Sequence, residues 1–214
     1  IMARRCFVLS GIFTFRSTIF VRTRSTLSKN WFSICRTRLF RNSFHGRMKK
    51  MLPLKPFQET LHADMCGPAS LKIVLEYYGA EKTEQELAKL CGVKSGLGTD
   101  DQSLKNAAEQ LGFTVEIKNE STFEDIERWL YKKIPVIVNW FTRGRTDYAD
   151  SDVADGHYSV VAGLDETHIY LQDPEIGAMR KLEREDFATV WFDFTGKYIK
   201  ADELVIRQII AIYR

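Results

Sequence analysis

Between residues 66 and 112 the apolar residues recur at helical spacing, and after Phe113 they fall instead into short alternating or β-branched runs. This segregation constrains the fold more than any other feature of the chain. Successive helices followed by strands joined through short turns predict an α+β fold with an antiparallel sheet. A parallel α/β fold would need strands and helices to alternate. The first helix runs from Cys66 to Tyr78 and stops at Gly79. Thr83 with Glu86, and Thr99 with Gln102, read as capping boxes for two more, the second holding Leu104, Ala107, Ala108 and Leu111. Phe113 to Ile117 alternates like a strand, and 122–132 has the one-sided spacing of a surface helix. Pro135 to Trp140 reads as a buried strand, Met179 to Leu182 as a short one, Glu183 to Trp191 as a helix and Leu204 to Tyr213 as one final strand.

Two β-branched runs, His157 to Leu164 and His168 to Asp173, flank Asp165-Glu166, which reads as a tight hairpin turn. Counting back from that turn sets His157 opposite Asp173 or Pro174. An imidazole and a carboxylate then meet at the open end of one hairpin. Cys66 supplies a thiol in the first turn of a buried helix. There the positive end of the helix dipole and unbonded N–H groups favour thiolate over thiol. A cysteine, a histidine and an acid that orients the histidine form the set needed to deprotonate a thiol and later protonate a leaving amine.

The charge is split along the chain. Residues 1–50 carry twelve Lys or Arg and no Asp or Glu; the remainder has nineteen basic and twenty-eight acidic residues, a net charge of −9. The overall +3 is therefore no argument for a nucleic-acid partner, and none is expected. Residues 1–47 are read as a separate basic segment and 48–214 as the domain, with no packed structure before Leu52. Three readings fit the basic segment: an organellar transit peptide, a secretory signal, or upstream translation ahead of a start at Met48 or Met51. Cys6 to Phe20 is interrupted by Arg16 and too short to span a bilayer, so no membrane span is expected.

Cys6, Cys35, Cys66 and Cys91 have no paired spacing for a zinc site or disulfide framework, which suits a reducing, cytoplasmic compartment. Cys91 reads as a small buried apolar residue. Asp147, Asp150, Asp152 and Asp155 lack the spacing and closing glutamate of a helix-loop-helix calcium site and read as a solvated loop. No metal and no cofactor are expected. His62, near Cys66 in sequence, is the rival base, and its loop position reads as solvated.

The ordered set Gln58, Cys66-Gly67-Pro68-Ala69-Ser70-Leu71, Tyr77-Tyr78-Gly79, Gly98-Thr99, Leu111-Gly112-Phe113, Ile134 to Val138, His157 to Gly163, Asp173-Pro174 and Phe187 to Trp191 resembles the bacteriocin-processing, double-glycine leader peptidases. The resemblance spans nearly all of 52–192. It implies a papain-like cysteine peptidase fold, with the helical part packed on a C-terminal antiparallel sheet. It also implies roles: Cys66 as nucleophile, His157 as general base and acid, Asp173 as the orienting acid, and Gln58 as side-chain donor of the oxyanion hole. Gln58 lies eight positions before Cys66, a longer gap than the family's usual one. From the resemblance alone comes a peptide substrate, such as a leader ending in Gly-Gly. Members of the family often sit at the N-terminus of peptide-exporting ABC transporters. This sequence has no Gly-rich phosphate loop ending in Gly-Lys-Ser/Thr, so a transporter would be a separate partner. Two alternatives stay open: a non-catalytic peptide-binding module of the same fold, and a thiol amidase or acyltransferase acting on a non-peptide substrate.

Overall fold

A computed structural model describes residues 50–62, 64–93, 98–141, 156–194 and 200–214. The boundary expected at 47/48, the loop holding Asp147 to Asp155, and Cys6 and Cys35 lie outside those residues. The elements follow the chain as β1 (Lys50–Met51), α1 (Cys66–Tyr77), α2 (Glu84–Leu90), α3 (Asp101–Gln110), β2 (Thr114–Lys118), α4 (Phe123–Tyr131) and β3 (Val136–Phe141). After these come β4 (Gly156–Leu164), β5 (His168–Asp173), β6 (Ala178–Glu183), α5 (Arg184–Val190), β7 (Phe192–Phe194), β8 (Leu204–Ile206) and β9 (Ile209–Tyr213). The expected α+β segregation is therefore present, with every strand pair among the described residues antiparallel.

The large sheet runs β2-β9-β3-β4-β5-β6. β1 pairs Lys50 with Leu164 and Met51 with Gly163, so packing begins before Leu52, contrary to expectation. β5 already occupies one edge of β4 at Gly163 and Leu164, and β1 therefore takes the other edge, beyond the point where β3 ends at Val161. Strand alternation divides the core into two layers. Ile137, Val160, Ile210 and Ile212 join Leu71, Val74 and Leu75 of α1, Leu87 of α2 and Leu104 of α3. Val136, Val138, Trp140, Val161, Ile169, Leu171, Ile209 and Ala211 join Ile126 and Leu130 of α4 and Phe187 of α5. Trp140 and Trp191, expected as core, are both buried there.

Three boundaries differ from the sequence reading. α3 is capped by Asp100, whose side chain accepts from the Ser103 N–H, rather than by Thr99; a carboxylate two positions from Gln102 outcompetes the hydroxyl for the first-turn amides. The final strand is broken at Arg207, which adopts a positive φ of 48°, so that 204–206 pairs with β7 while 209–213 enters the large sheet. β7 itself was not anticipated. The hairpin turn is longer than two residues: the Asp165 side chain accepts from the N–H groups of Thr167 and His168.

Candidate active site

α1 packs against β4, and the Ser70 hydroxyl donates to the Tyr158 carbonyl at 3.1 Å, tying the second turn of the helix to the first residues of the strand. Cys66 opens that helix and is 9% exposed. α2, α3 and α4 each begin on a side-chain cap, from Thr83, Asp100 and Thr122. α1 does not: its N-cap is Met65, which makes no side-chain cap bond, and its first turn holds no acidic residue. The helix that carries the cysteine therefore keeps its positive end and first amides unneutralised by its own side chains.

The β4–β5 register places Val160 opposite Gln172, with an irregularity between Val161 and Gly163. Continued outward, it sets Ser159 opposite Asp173, so His157 meets Asp173 diagonally rather than directly. The longer turn and the bulge account for the difference from the sequence count. Diagonal neighbours share a face and lie within reach of long side chains. His157 Nε2 is 2.7 Å from Asp173 Oδ1. With Nε2 committed to Asp173, Nδ1 is the nitrogen left for the thiol, and the Cys66 side chain lies within hydrogen-bonding reach of the ring. Burial opposes a charge on His157, yet hydrogen bonds to Asp173 and Cys66 outweigh it and push the imidazole up to about 10. Asp173 is fully buried, which alone would raise its carboxyl; His157 and Arg180 reverse this and hold it below the ordinary aspartate value. The imidazole edge also packs against the Trp140 ring, which limits its rotation.

Gln58 lies beside the turn that follows Asp173. Its side-chain amide donates to the Glu175 carbonyl at 3.1 Å, and its backbone is pressed against Gly177, where an added Cβ would come 2.6 Å from Gln58 Cβ. Gly177 has a φ of 61°, so both its conformation and this contact exclude a side chain. His62 is exposed and turned to its own loop, its Nδ1 accepting from the Asp64 N–H at 3.4 Å. Cys91 is buried, and burial followed by the Asp100 charge pushes its thiol up to about 12.

Two charged groups at the site were not singled out from the sequence. Arg180, on β6, donates from Nε to Asp173 Oδ2 and from Nη2 to Glu175 Oε2 at 3.3 Å. The signal for it was available: Arg180 is in phase with Leu182, and in the observed strand those two are the buried positions. Glu59 donates its N–H to the Pro174 carbonyl, and its Oε2 is shielded from solvent without a hydrogen-bond partner. Burial pushes its carboxyl up to about 7; His157 opposes the shift, while Glu175, Asp173 and Glu84 add to it.

The Glu59 shift sets the sign of a stability effect. Between the ordinary value of 4.5 and about 7 the folded chain holds a proton that the unfolded chain has released, so stability falls as pH rises through that window and stays low above it. Glu59→Gln removes the fall. It is expected to stabilise the domain at pH 8 by about 1–2 kcal/mol, a figure already reduced for partial solvent screening, and by less at pH 5. Urea midpoints at the two pH values check this; equal gains at both would contradict the assignment.

His157, Asp173 and Glu175 offer ligand atoms within 4.8 Å of one another. A cation there would face the Arg180 guanidinium, already bonded to both carboxylates, and the like charge opposes it. Among the described residues no helix is long and apolar enough to cross a membrane.

Residues 52–199 match the model of the Peptidase_C39 like family. The chain is 31% identical over 129 residues to the lactococcin transport/processing ATP-binding protein LcnC-like of Lactococcus lactis; the match covers 59% of this chain and 16% of that protein. Among solved structures, a putative C39-like peptidase from Bacillus anthracis superposes with a TM-score of 0.59 at 20% identity, covering 78% of this chain and 98% of that one. A double glycine motif protease from an AMS/PCAT transporter, in complex with its leader peptide, superposes with a TM-score of 0.53 at 19% identity, covering 78% and 99%. These likenesses share the papain-like α+β arrangement of helices on an antiparallel sheet, and with the family match over most of its length the chain belongs to the Peptidase_C39 like family.

Proposed function

We propose that this protein is a cysteine peptidase that hydrolyses peptide bonds through Cys66, His157 and Asp173. The observation that supports the reading is the Cys66 side chain, at the uncapped start of α1, within hydrogen-bonding reach of an imidazole whose other nitrogen is bonded to a buried carboxylate. The thiolate attacks the scissile carbonyl carbon, and the imidazolium gives its proton to the departing amine. The resulting thioester is hydrolysed by a water that His157 deprotonates. Negative charge on the former carbonyl oxygen faces the Cys66 N–H, one of the first-turn amides with no intrahelical partner. Gln58 would add a second donor only by releasing the Glu175 carbonyl, a rearrangement that substrate binding would have to drive. Removing such a donor costs about 10²–10³ in rate.

The substrate proposed is a peptide cut after small residues, such as a Gly-Gly leader, by analogy with the leader-peptide complex of the double glycine motif protease. The partner proposed is a peptide exporter, by analogy with the transport/processing ATP-binding relative, of which the match covers 16%. Cytoplasmic action fits such a partner.

One observation favours the binding-only alternative: the Gln58 amide is engaged with the Glu175 carbonyl instead of being free for an oxyanion. Thiol labelling separates the two readings. Iodoacetamide at pH 6 is expected to alkylate Cys66 within minutes and to leave Cys91 unmodified, with sites read by mass spectrometry. Incubation with a peptide library that includes Gly-Gly leaders is expected to give cleaved products and a trapped Cys66 adduct. Slow, equal labelling of both thiols with no cleavage would sink the peptidase reading. Adduct formation with non-peptide amides alone would turn it into an amidase.

A further inference from the structure

Asp173 has both carboxylate oxygens occupied. Oδ1 accepts from His157 Nε2 at 2.7 Å and from the Glu175 N–H at 2.9 Å, while Oδ2 accepts from Arg180 Nε. The arginine is nearly as buried as the carboxylate, 9% exposed against 0%. The strand registers explain the alignment. Asp173 pairs with Ala178 across β5 and β6, so Arg180 is its diagonal neighbour on one side, as His157 is on the other. Three adjacent strands thus present His157, Asp173 and Arg180 in one row at the open end of the sheet. Glu175, half-exposed on the turn, closes the far side of the guanidinium.

A carboxylate with no access to water is costly unless an opposite charge compensates it. The imidazolium gives up its proton to the departing amine and is neutral in the thioester stage, so it cannot supply that charge throughout the cycle. The guanidinium is charged at every working pH, and its planar fork fixes the direction of the oxygen it binds. We propose that Arg180 is a positioning residue of the reaction: it keeps Asp173 a carboxylate and turns its second oxygen onto His157. The proposal rests on the peptidase reading above.

Loss of Arg180 weakens the thiolate–imidazolium pair by two routes. Removing a nearby positive charge disfavours the thiolate, and a loosened Asp173 supports the imidazolium less well. The first moves thiolate formation to higher pH, and the second lowers the share of Cys66 held as the ion pair above that midpoint. A purely structural arginine would lower the folded fraction and leave the pH profile of the folded molecules where it was.

The test uses the full chain and iodoacetamide, following Cys66 alkylation by mass spectrometry from pH 4 to 9 in the parent protein, Arg180→Gln and Arg180→Lys. The acid-side midpoint is expected to rise by about one pH unit in Arg180→Gln and by less in Arg180→Lys, which keeps the charge but loses the fork. With a cleavable peptide, kcat falls while KM stays within about twofold, as for an interaction that matters in the transition state. If Arg180→Gln fails to fold, Arg180→Lys alone decides. Midpoints coinciding with the parent's would overturn the proposal and leave the peptidase reading standing. A parent profile with no acid-side reactivity at Cys66 would instead remove the peptidase reading, and the positioning role with it.

Discussion

Cys66→Ala is expected to lower kcat/KM for the proposed peptide hydrolysis by about 10⁴-fold or more, with the fold unchanged. The magnitude follows from the division of labour at the site. On the proposed mechanism the sulfur forms the thioester, and the imidazole that faces it has its other nitrogen committed to Asp173. What survives is the contribution of binding and of the first-turn amides, which neither store nor transfer a bond. His157→Ala is expected to cost a similar factor, and the double variant little more than either single one, because nucleophile and base act as one unit. The fold persists because alanine keeps the Cβ and only a small, barely exposed atom is removed. Purified variants assayed on one peptide, with circular dichroism as a control for folding, check the claim. Cleavage by Cys66→Ala at more than a few per cent of the parent rate would place the chemistry elsewhere.

Asp173→Ala is expected to damage stability as much as activity, which sets it apart from Cys66→Ala. Asp173 is fully buried and accepts from three donors, one of them the nearly buried Arg180. Removing the carboxylate takes from the guanidinium its buried ion pair; its pair with Glu175, at 3.3 Å, is to a side chain 41% exposed. Breaking one side of a buried pair costs about 3–5 kcal/mol, a large part of the roughly 5–15 kcal/mol that holds a domain together. The imidazole at the same time loses the bond that aims it. Asp173→Ala/Arg180→Leu, which removes both charges, is expected to regain much of the stability and none of the activity. Urea midpoints and peptide turnover for the single and double variants separate the two effects. An unchanged midpoint in Asp173→Ala would show that the buried pair is not what holds β5 to β6 at this end.

Much of the site was legible because its signals are local. The stop at Gly79, the capping box at Thr83 and the one-sided apolar spacing after Thr122 each depend on residues within a turn or two of one another, and the helices begin and end close to where they indicate. The pairing of His157 with Asp173 came from counting along one hairpin, although a bulge and a longer turn make the contact diagonal. Arg207 was not legible as a break, because only pairing of 204–206 with β7 on one side and of 209–213 with β2 and β3 on the other forces its positive φ. Glu59 and Gln58 were ambiguous for a related reason: they lie in an irregular segment whose path is set by contacts with Pro174, Glu175 and Gly177, more than a hundred residues away.

By itself the sequence determined the segregation of helices from strands, the placing of Cys66 at a helix start and the presence of a histidine and an acid on one hairpin, since periodicity, caps and turn chemistry act over a few residues. The tertiary structure alone decided that the helix start carrying Cys66 would pack against β4. It also decided that Arg180 would flank Asp173 from the next strand and that the Gln58 amide would face the Glu175 carbonyl. Those outcomes depend on strand register and on how buried charges find partners across the sheet, and neither is set until distant segments pack.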